Sequence, residues 1–512
     1  MSLVPTVDNV AFYSNEKVQL ARYKAVEAKF ANLYGEKPSL IARAPGRVNL
    51  IGEHIDYCHF SVLPMAIEVD VIAPFVASGD SSVTINNTDP KFSSESFSFP
   101  ADGSVVEIDK NNLSWGSYFK CSAIVAHKFI LEKYAHLLDG GKKPLKGLKA
   151  LFDGTVPTGG GLSSSAAFCI CATLAILHVN GVEQITKEDL TRITVVCEHY
   201  VGLNNGGMDQ CASVNGEPNK VLLISFKPSL KSTPFELPET KPETIFLITN
   251  SLITANKTET APKNYNLRVV EVAVAAELIA RKFGLKVSPD SNLDTATLRG
   301  SFDAYFTQKL GESAWDGQDI EMGIDRLTRM LDLVESIYSE KKEFTTEEAA
   351  EAVGLSLEEF QAKYLSRFPV SYEKLSLYKR SRHVYSDSLR VLQTISLARH
   401  FDGNSEKYLE EFGKLMDESQ VSTREYNNAS ALGCDALCEL GRANGTYGSR
   451  VTGAGFGGSV VHLTTVDRLP KVIEAIKEKY YKKQFPGISE EELSSAIVVS
   501  KPAQGACIVK SL

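Results

Sequence analysis

Residues 155–167 read Thr-Val-Pro-Thr-Gly-Gly-Gly-Leu-Ser-Ser-Ser-Ala-Ala, so three glycines stand just before three serines. An apolar segment precedes them from Leu148, and a long run of small apolar residues follows them to Asn180. This order predicts a strand, a glycine loop and a helix. Glycine lets backbone N–H groups converge on an anion, and a helix N-terminus adds partial positive charge. The segment therefore predicts a phosphate-binding loop whose serines cap the helix or bind Mg²⁺.

This loop matches neither of the two common nucleotide-binding motifs. No Gly-Lys-Ser/Thr follows it, as a Walker loop requires, and the spacing Gly-x-Gly-x-x-Gly of a dinucleotide fingerprint is not met. The alternative is a glycine hinge in front of a serine-capped helix. The loop alone leaves both interpretations open.

A second informative segment covers residues 44–57 and reads Ala-Pro-Gly-Arg-Val-Asn-Leu-Ile-Gly-Glu-His-Ile-Asp-Tyr. Arginine, glutamate, histidine and aspartate are gathered here beside the apolar residues Val48, Leu50 and Ile51. An exposed, salt-bridged turn is the alternative, but such a turn does not need apolar anchors. The segment therefore predicts a functional site.

Size and composition limit the classes of protein that this chain represents. Its 512 residues, 43% of them hydrophobic, are enough for two cores, so we expect two lobes with a cleft between them. A net charge of −8 argues against nucleic-acid or acidic-membrane partners. No secretory signal and no membrane-spanning apolar stretch is recognisable, and the nine cysteines lack zinc or redox spacing. We expect a cytoplasmic protein with reduced thiols.

The pattern along the chain predicts two domains, residues 1–235 and 236–512, with the boundary in a proline-rich stretch. Residues 288–379 are charged and amphipathic, and they predict a helical insertion in the second domain. Two capping boxes predict helix starts within it, at Thr345 with Glu348 and at Ser356 with Glu359.

Three segments, in order along the chain, resemble motifs of one family. Residues 44–57 resemble the galactokinase signature, residues 156–167 the ATP-binding motif of the wider GHMP kinase family, and residues 448–458 its third, glycine-rich motif. Residues 204–210 are similar to the fungal branch. The resemblance implies an α+β fold of two lobes with mixed and antiparallel sheets. It also implies transfer of the γ-phosphate of ATP to the anomeric hydroxyl of galactose, the first step of galactose catabolism.

The resemblance also assigns roles to individual residues. Asp209 is the expected catalytic base, and Arg47 beside it keeps the carboxylate ionised and stabilises the transferring phosphoryl group. The remaining assignments are the sugar-binding residues Glu53, His54, Asp56, Gly206 and Tyr265, the phosphate-binding residues Gly159, Gly161, Ser163, Ser164 and Ser165, the adenine contact Trp115, and the Mg²⁺ ligands Ser164 and Glu198. Without the family, Trp115 is a core aromatic residue and Glu198 belongs to a solvated helix face.

Two other functions remain open at this point. Some fungal relatives bind galactose and ATP and then capture a transcriptional repressor, but these lack a Ser-Ala pair that residues 163–167 retain, so catalysis is favoured. A repressor is still a possible partner beside galactose and ATP. Kinases for N-acetylgalactosamine share the signature from Gly46 to Leu63, and the space around the sugar C2 that separates them is not readable from the sequence.

Overall fold

The structure is a computed structural model that describes residues 2–109, 112–201, 206–253, 260–291 and 293–512. The chain forms two compact units. The first comprises Met1–Val48, Met65–Leu222 and Ser500–Leu512, and the second comprises Asn49–Pro64 and Leu223–Val499. Each unit combines helices with a sheet, so the predicted α+β fold class is confirmed.

The units differ from the two continuous domains that the sequence predicts. Residues 49–64 belong to the second unit, because hydrogen bonds from later parts of the chain hold them there. Residues 500–512 belong to the first unit, because their strand pairs with strands near the start of the chain. Such long-range pairing leaves no local signal in composition, which is why the predicted boundary near residue 235 misses both segments.

A seven-stranded mixed sheet forms the centre of the first unit. Its strands are β1 (Thr6–Val7), β2 (Leu40–Asn49), β3 (Pro64–Ala77), β4 (Ser82–Asn87), β5 (Glu95–Ser98), β6 (Leu148–Gly154) and β13 (Cys507–Lys510), in the order β1-β13-β2-β3-β6-β4-β5. Strand β13 runs parallel to β1 and antiparallel to β2. The α-helices of this unit are Glu16–Tyr34, Trp115–Lys133, Ser164–Val179, Lys187–Val195 and Met208–Asn215.

The helix Ser164–Val179 is apolar all round and almost wholly buried, as expected of a helix inside a core. It begins directly after the glycine loop, and β6 ends directly before that loop. The predicted order of strand, glycine loop and helix is therefore confirmed. No helix in the described ranges is long and apolar enough to cross a bilayer.

The second unit is mostly helical. Its strands β9 (Thr244–Asn250), β10 (Gly448–Thr452), β11 (Ser459–Thr465) and β12 (Ile497–Ser500) form a sheet in the order β10-β11-β9-β12; β7 (Lys220–Ser225) leads into the unit and β8 (Lys231–Glu236) follows. Its α-helices are Tyr265–Phe283, Leu298–Ala304, Ile320–Ile337, Thr346–Val353, Leu357–Phe360, Leu377–Arg399, Ser405–Glu425, Leu432–Asn444, Leu469–Ile476, Lys482–Gln484 and Glu490–Ala496.

Residues 288–379, for which the sequence predicts a helical insertion, are largely helical. The helix Ile320–Ile337 buries one face and packs against the helix Leu377–Arg399. Both predicted capping boxes form: Thr345 caps the helix that starts at Thr346, and Ser356 caps the helix that starts at Leu357. In each box the serine or threonine side chain accepts from a backbone N–H of the first turn, and the glutamate accepts from the capping residue.

Candidate active site

An ion pair between Arg47 and Asp209 lies at the end of β2 in the first unit. The Nε atom of Arg47 donates to Oδ1 of Asp209 at 2.9 Å, and its Nη2 atom lies 2.8 Å from the same oxygen. Arg47 is buried, whereas the Asp209 side chain is 24% exposed. Asp209 stands in the first turn of the helix Met208–Asn215, where the helix dipole also favours a carboxylate. The pair thus holds a carboxylate that solvent can reach.

The same arginine holds the glycine loop. Its Nη1 atom donates to the carbonyl oxygen of Gly161 at 2.7 Å, and its backbone N–H donates to the carbonyl of Leu162 at 3.2 Å. Gly159 and Gly161 have φ values of 74°, in the left-handed region that glycine adopts without a steric penalty. A Cβ atom on Gly46 would lie 2.8 Å from the Leu162 carbonyl oxygen, so β2 approaches the loop too closely for any side chain there.

Three serines open the helix that follows the loop. Ser163 is the N-cap residue with a φ of 60°, and its Oγ atom is buried and makes no hydrogen bond within the described part of the chain. Ser164 begins the helix, and the Ser165 hydroxyl donates to Oε1 of Glu198 at 2.5 Å. An unpaired buried hydroxyl at a helix start indicates a place where a ligand completes the hydrogen bonding.

Glu198 is buried, with 4% of its surface exposed, so the alternative of a solvated helix face is wrong. Its Oε2 atom accepts from Nε2 of Gln210 at 3.0 Å, next to Asp209 in sequence. Its two oxygens therefore link Ser165 to the helix that carries the expected base.

Trp115 begins the helix Trp115–Lys133 and is partly exposed. Its indole N–H donates to the carbonyl of Ser93 at 2.9 Å. Its ring lies 5.8–6.0 Å from the rings of Phe92, Phe152 and Phe168. This is a partly open aromatic cluster on the same unit as the glycine loop.

The signature residues 49–64 lie in the second unit, and their charged side chains are buried. Glu53 is 2% exposed, and its Oε1 atom accepts from the backbone N–H of Gly453 at 2.7 Å and faces Nη1 of Arg450 at 3.5 Å. The alternative of an exposed, salt-bridged turn is therefore wrong. Asp56 is 7% exposed and begins the short turn Asp56–Cys58, where its charge adds to burial in raising the pKa of the Cys58 thiol.

His54 has a φ of 61° and sits between two hydrogen-bonding partners. Its Nε2 atom is 2.9 Å from the carbonyl oxygen of Ala454, and its Nδ1 atom is 2.9 Å from the hydroxyl of Tyr57. Burial lowers the pKa of His54 to about 3, so the ring is neutral at pH 7. Because a carbonyl only accepts, Nε2 carries the proton and the Tyr57 hydroxyl donates to Nδ1.

Tyr265, at the start of the helix Tyr265–Phe283, places its ring 5.4 Å from that of His54 and 5.8 Å from that of Tyr57. Gly206 lies in the first unit and is half-buried, just before Gly207, whose φ of 95° caps the helix that carries Asp209. Asn204 and Asn205, which resemble the fungal branch, lie outside the described residues.

Each unit therefore gathers its own set of predicted residues. The first contains Arg47, Asp209, the glycine loop and Glu198, and the second contains Glu53, His54, Asp56 and Tyr265. Sequence reasoning missed Arg450 and His383, which contact Glu53. Arg450 lies inside the third motif and could have been singled out as the only charge among its glycines, whereas no local signal marks His383.

Three models of known protein families match separate segments of the chain. The galactokinase galactose-binding signature matches residues 28–75. The N-terminal domain of GHMP kinases matches residues 118–217, and the C-terminal domain matches residues 405–482.

Curated relatives and solved structures agree with this assignment. The chain is 55% identical to a galactokinase of Schizosaccharomyces pombe, over 100% of this chain and 99% of that protein. It is 46% identical to a galactokinase of Saccharomyces cerevisiae, over 94% and 93%. The fold is similar to that of Lactococcus lactis galactokinase solved with galactose, with a TM-score of 0.66, 21% identity and coverage of 94% and 98%. The chain belongs to the galactokinase family of GHMP kinases.

Proposed function

We propose that this chain transfers the γ-phosphoryl group of ATP to the anomeric hydroxyl of D-galactose, giving ADP and α-D-galactose 1-phosphate. The observation that carries the proposal is the ion pair of Arg47 and Asp209, in which the arginine also holds the carbonyl of Gly161 in the glycine loop. One side chain thus connects the expected base to the loop that is expected to hold the phosphates. The membership in the galactokinase family supports galactose as the acceptor.

In this reaction Asp209 accepts the proton of the C1 hydroxyl as its oxygen attacks the γ-phosphorus. The bond between that phosphorus and the bridging oxygen breaks, and ADP leaves with the bonding electrons. The Nε and Nη2 contacts of Arg47 with Asp209 both go to Oδ1, which leaves Oδ2 of Asp209 outside that contact. A neighbouring cation keeps the carboxylate ionised and stabilises negative charge on the transferring group. Positioning and electrostatics supply most of the remaining acceleration.

The ATP site that we propose uses the glycine loop and its serines. The backbone around Gly159 and Gly161 and the hydroxyls of Ser163, Ser164 and Ser165 bind the phosphates at the start of a buried helix. The unpaired Oγ of Ser163 supports this assignment. The partly exposed indole of Trp115 packs against adenine.

We propose Mg²⁺ as the accompanying ion, held by Ser164 and Glu198. The hydroxyl of Ser165 holds the Glu198 carboxylate in place. The residues fit: Mg²⁺ prefers hard oxygen ligands and needs only one or two protein groups beside the ATP phosphates. The described residues hold no cluster of three or more histidine, cysteine or acidic side chains that could bind a metal unaided. When bound, Mg²⁺ neutralises charge on the β- and γ-phosphates.

Glu198→Gln keeps the shape of the side chain and removes its charge, so we expect the Mg²⁺ concentration for half-maximal activity to rise about tenfold or more. Titration of Mg²⁺ at saturating ATP and galactose measures it. Glu27→Gln is a matched control, because Glu27 is also buried in the first unit and accepts from a serine hydroxyl, that of Ser511. Equal Mg²⁺ dependence in both variants would remove Glu198 from the site.

For the sugar we propose Glu53, His54, Asp56, Gly206 and Tyr265 as contacts. A neutral histidine and buried carboxylates suit a polyol, because an epimer leaves such groups unpaired. Both ring nitrogens of His54 are already engaged by Tyr57 and Ala454. A direct bond from His54 to the sugar therefore requires that one of these partners be exchanged on binding.

The test is ATP-dependent formation of sugar 1-phosphate with galactose, glucose and N-acetylgalactosamine as acceptors. We expect turnover with galactose. We also propose that the protein is located in the cytoplasm. Preference for N-acetylgalactosamine would show that the chain is an N-acetylgalactosamine kinase instead. Binding of galactose and ATP without turnover would favour the sensor that captures a transcriptional repressor.

A further inference from the structure

The backbone at the start of the sugar-binding signature is held in an unusual conformation. Gly52 has a φ of 107°, and His54, which is not a glycine, has a φ of 61°. A residue other than glycine keeps such a conformation only where surrounding groups determine it. The groups that fix Gly52–His54 therefore decide where the side chains of Glu53 and His54 point.

One face of the helix Leu377–Arg399 supplies three such contacts. Nε2 of His383 is 2.9 Å from the carbonyl oxygen of Glu53. Oδ2 of Asp387 accepts from the backbone N–H of Gly52 at 3.1 Å. A Cβ atom on Gly52 would lie 3.1 Å from Cγ2 of Val391, so the helix touches the backbone there. Residues 383, 387 and 391 are four apart, which places them in one row on the helix.

We propose that His383 is a positioning residue for galactose: it fixes the peptide between Glu53 and His54 and so orients both side chains toward the sugar. This inference rests on the proposed function, because it takes Glu53 and His54 as sugar contacts. His383 itself is fully buried and is not expected to touch the substrate.

A second helix sets the orientation of the His383 ring. The hydroxyl of Ser422, on the helix Ser405–Glu425, lies 2.9 Å from Nδ1 of His383. Since the Glu53 carbonyl only accepts, Nε2 carries the proton and Nδ1 accepts from Ser422. Burial lowers the pKa of His383 to about 4, so this neutral form is present throughout the neutral range.

Asp387 is anchored in the same way, because its Oδ1 accepts from the hydroxyl of Ser419 at 2.6 Å. Ser419 also accepts from Nε of Arg450, whose Nη1 donates to the backbone carbonyl of Asn49 and faces Glu53. The backbone contacts on one side of Glu53 and the carboxylate contacts on the other thus form one connected, buried network. A buried network of this kind resists the loss of any member.

The experiment compares His383→Leu with a matched control, His462→Leu. His462 is a buried histidine of the same unit that is also engaged at both ring nitrogens: Nδ1 lies 2.8 Å from the Ser449 hydroxyl and Nε2 lies 2.9 Å from the Thr249 hydroxyl. None of these groups belongs to residues 49–64. Both variants should lower the thermal unfolding temperature, so stability alone does not separate them.

The expected result is a selective change in galactose binding. His383→Leu should raise the KM for galactose about 10- to 100-fold while the KM for ATP stays within about twofold. His462→Leu should change neither KM by more than about twofold. His383→Gln, whose amide can still donate to the Glu53 carbonyl, should recover part of the galactose affinity.

The proposal is overturned if His383→Leu keeps its galactose KM within twofold, or if His462→Leu raises it equally. If His383→Leu does not fold, Ser422→Ala decides by the same criteria, with an expected rise of a few-fold. The galactose affinity of the same variants, measured by calorimetry, tests the proposal without requiring turnover. A chain that binds galactose but phosphorylates no sugar would thus overturn the proposed kinase function and leave the positioning role testable.

Discussion

Replacing Asp209 with asparagine is expected to lower kcat about 10²- to 10⁴-fold, because the amide cannot take the proton of the sugar hydroxyl at neutral pH. This corresponds to about 3–5 kcal/mol of activation free energy. The change keeps the size of the side chain and an oxygen that can accept from Arg47. Steady-state kinetics with saturating ATP and galactose measure kcat, and calorimetry should show that both substrates still bind.

A matched variant separates the loss of the base from the loss of an ion pair. Asp153, on β6 of the same unit, is 19% exposed and accepts from Nε of Arg22 at 2.7 Å, much as Asp209 accepts from Arg47. Asp153→Asn should keep kcat within about threefold of the unmodified chain. A kcat for Asp209→Asn that also stays within tenfold would show that another group removes the proton.

The largest effect on stability is expected in mild acid. Three buried histidines of the second unit have a lowered pKa, to about 3 for His54, about 4 for His383 and about 3 for His462, and burial is the main cause in each. In the unfolded chain each titrates near 6.5. A lowered folded-state pKa means that the unfolded state binds more protons, so this stability is fully present above pH 6.5 and is lost as the pH falls toward 4.

Below pH 6.5 each of these histidines lowers the free energy of unfolding by about 1.4 kcal/mol per pH unit. The three together should therefore lower it by about 4 kcal/mol between pH 7.5 and 5.5. Urea unfolding at a series of pH values measures the slope. In His462→Gln one of the three groups is gone, and the loss should be about a third smaller. A free energy of unfolding that is the same at pH 7.5 and 5.5 would show that these rings are not neutral in the folded protein.

Local patterns predicted the local structure well. The helix starts after Thr345 and Ser356 were each predicted at the correct residues. A capping box satisfies two backbone donors within four residues, so the whole interaction is visible in the sequence. The loop of residues 155–167 was predicted for the same reason, since glycine and serine act there through their own backbone and the next helix.

Contacts between distant parts of the chain were not predictable in this way. The hydrogen bond from His383 to Glu53 joins residues that are 330 positions apart in the sequence. Arg450 and Glu53, which also contact each other, are 397 positions apart. No single sequence shows which of its many polar helix positions will face a loop so far away. Family motifs identified Glu53 and His54 as candidates, but only the structure shows which groups hold them.

The position of β13 bears on how the chain folds as it is synthesised. This strand lies between β1 and β2, yet it is made only after the second unit. At ribosomal rates of about 5–20 residues per second, β2 waits on the order of tens of seconds for its neighbour. During that time its edge exposes unpaired backbone groups that can pair with other chains. The first unit thus begins early in translation and closes only after the second unit has been made, so the nascent chain has a long period in which chaperones are useful.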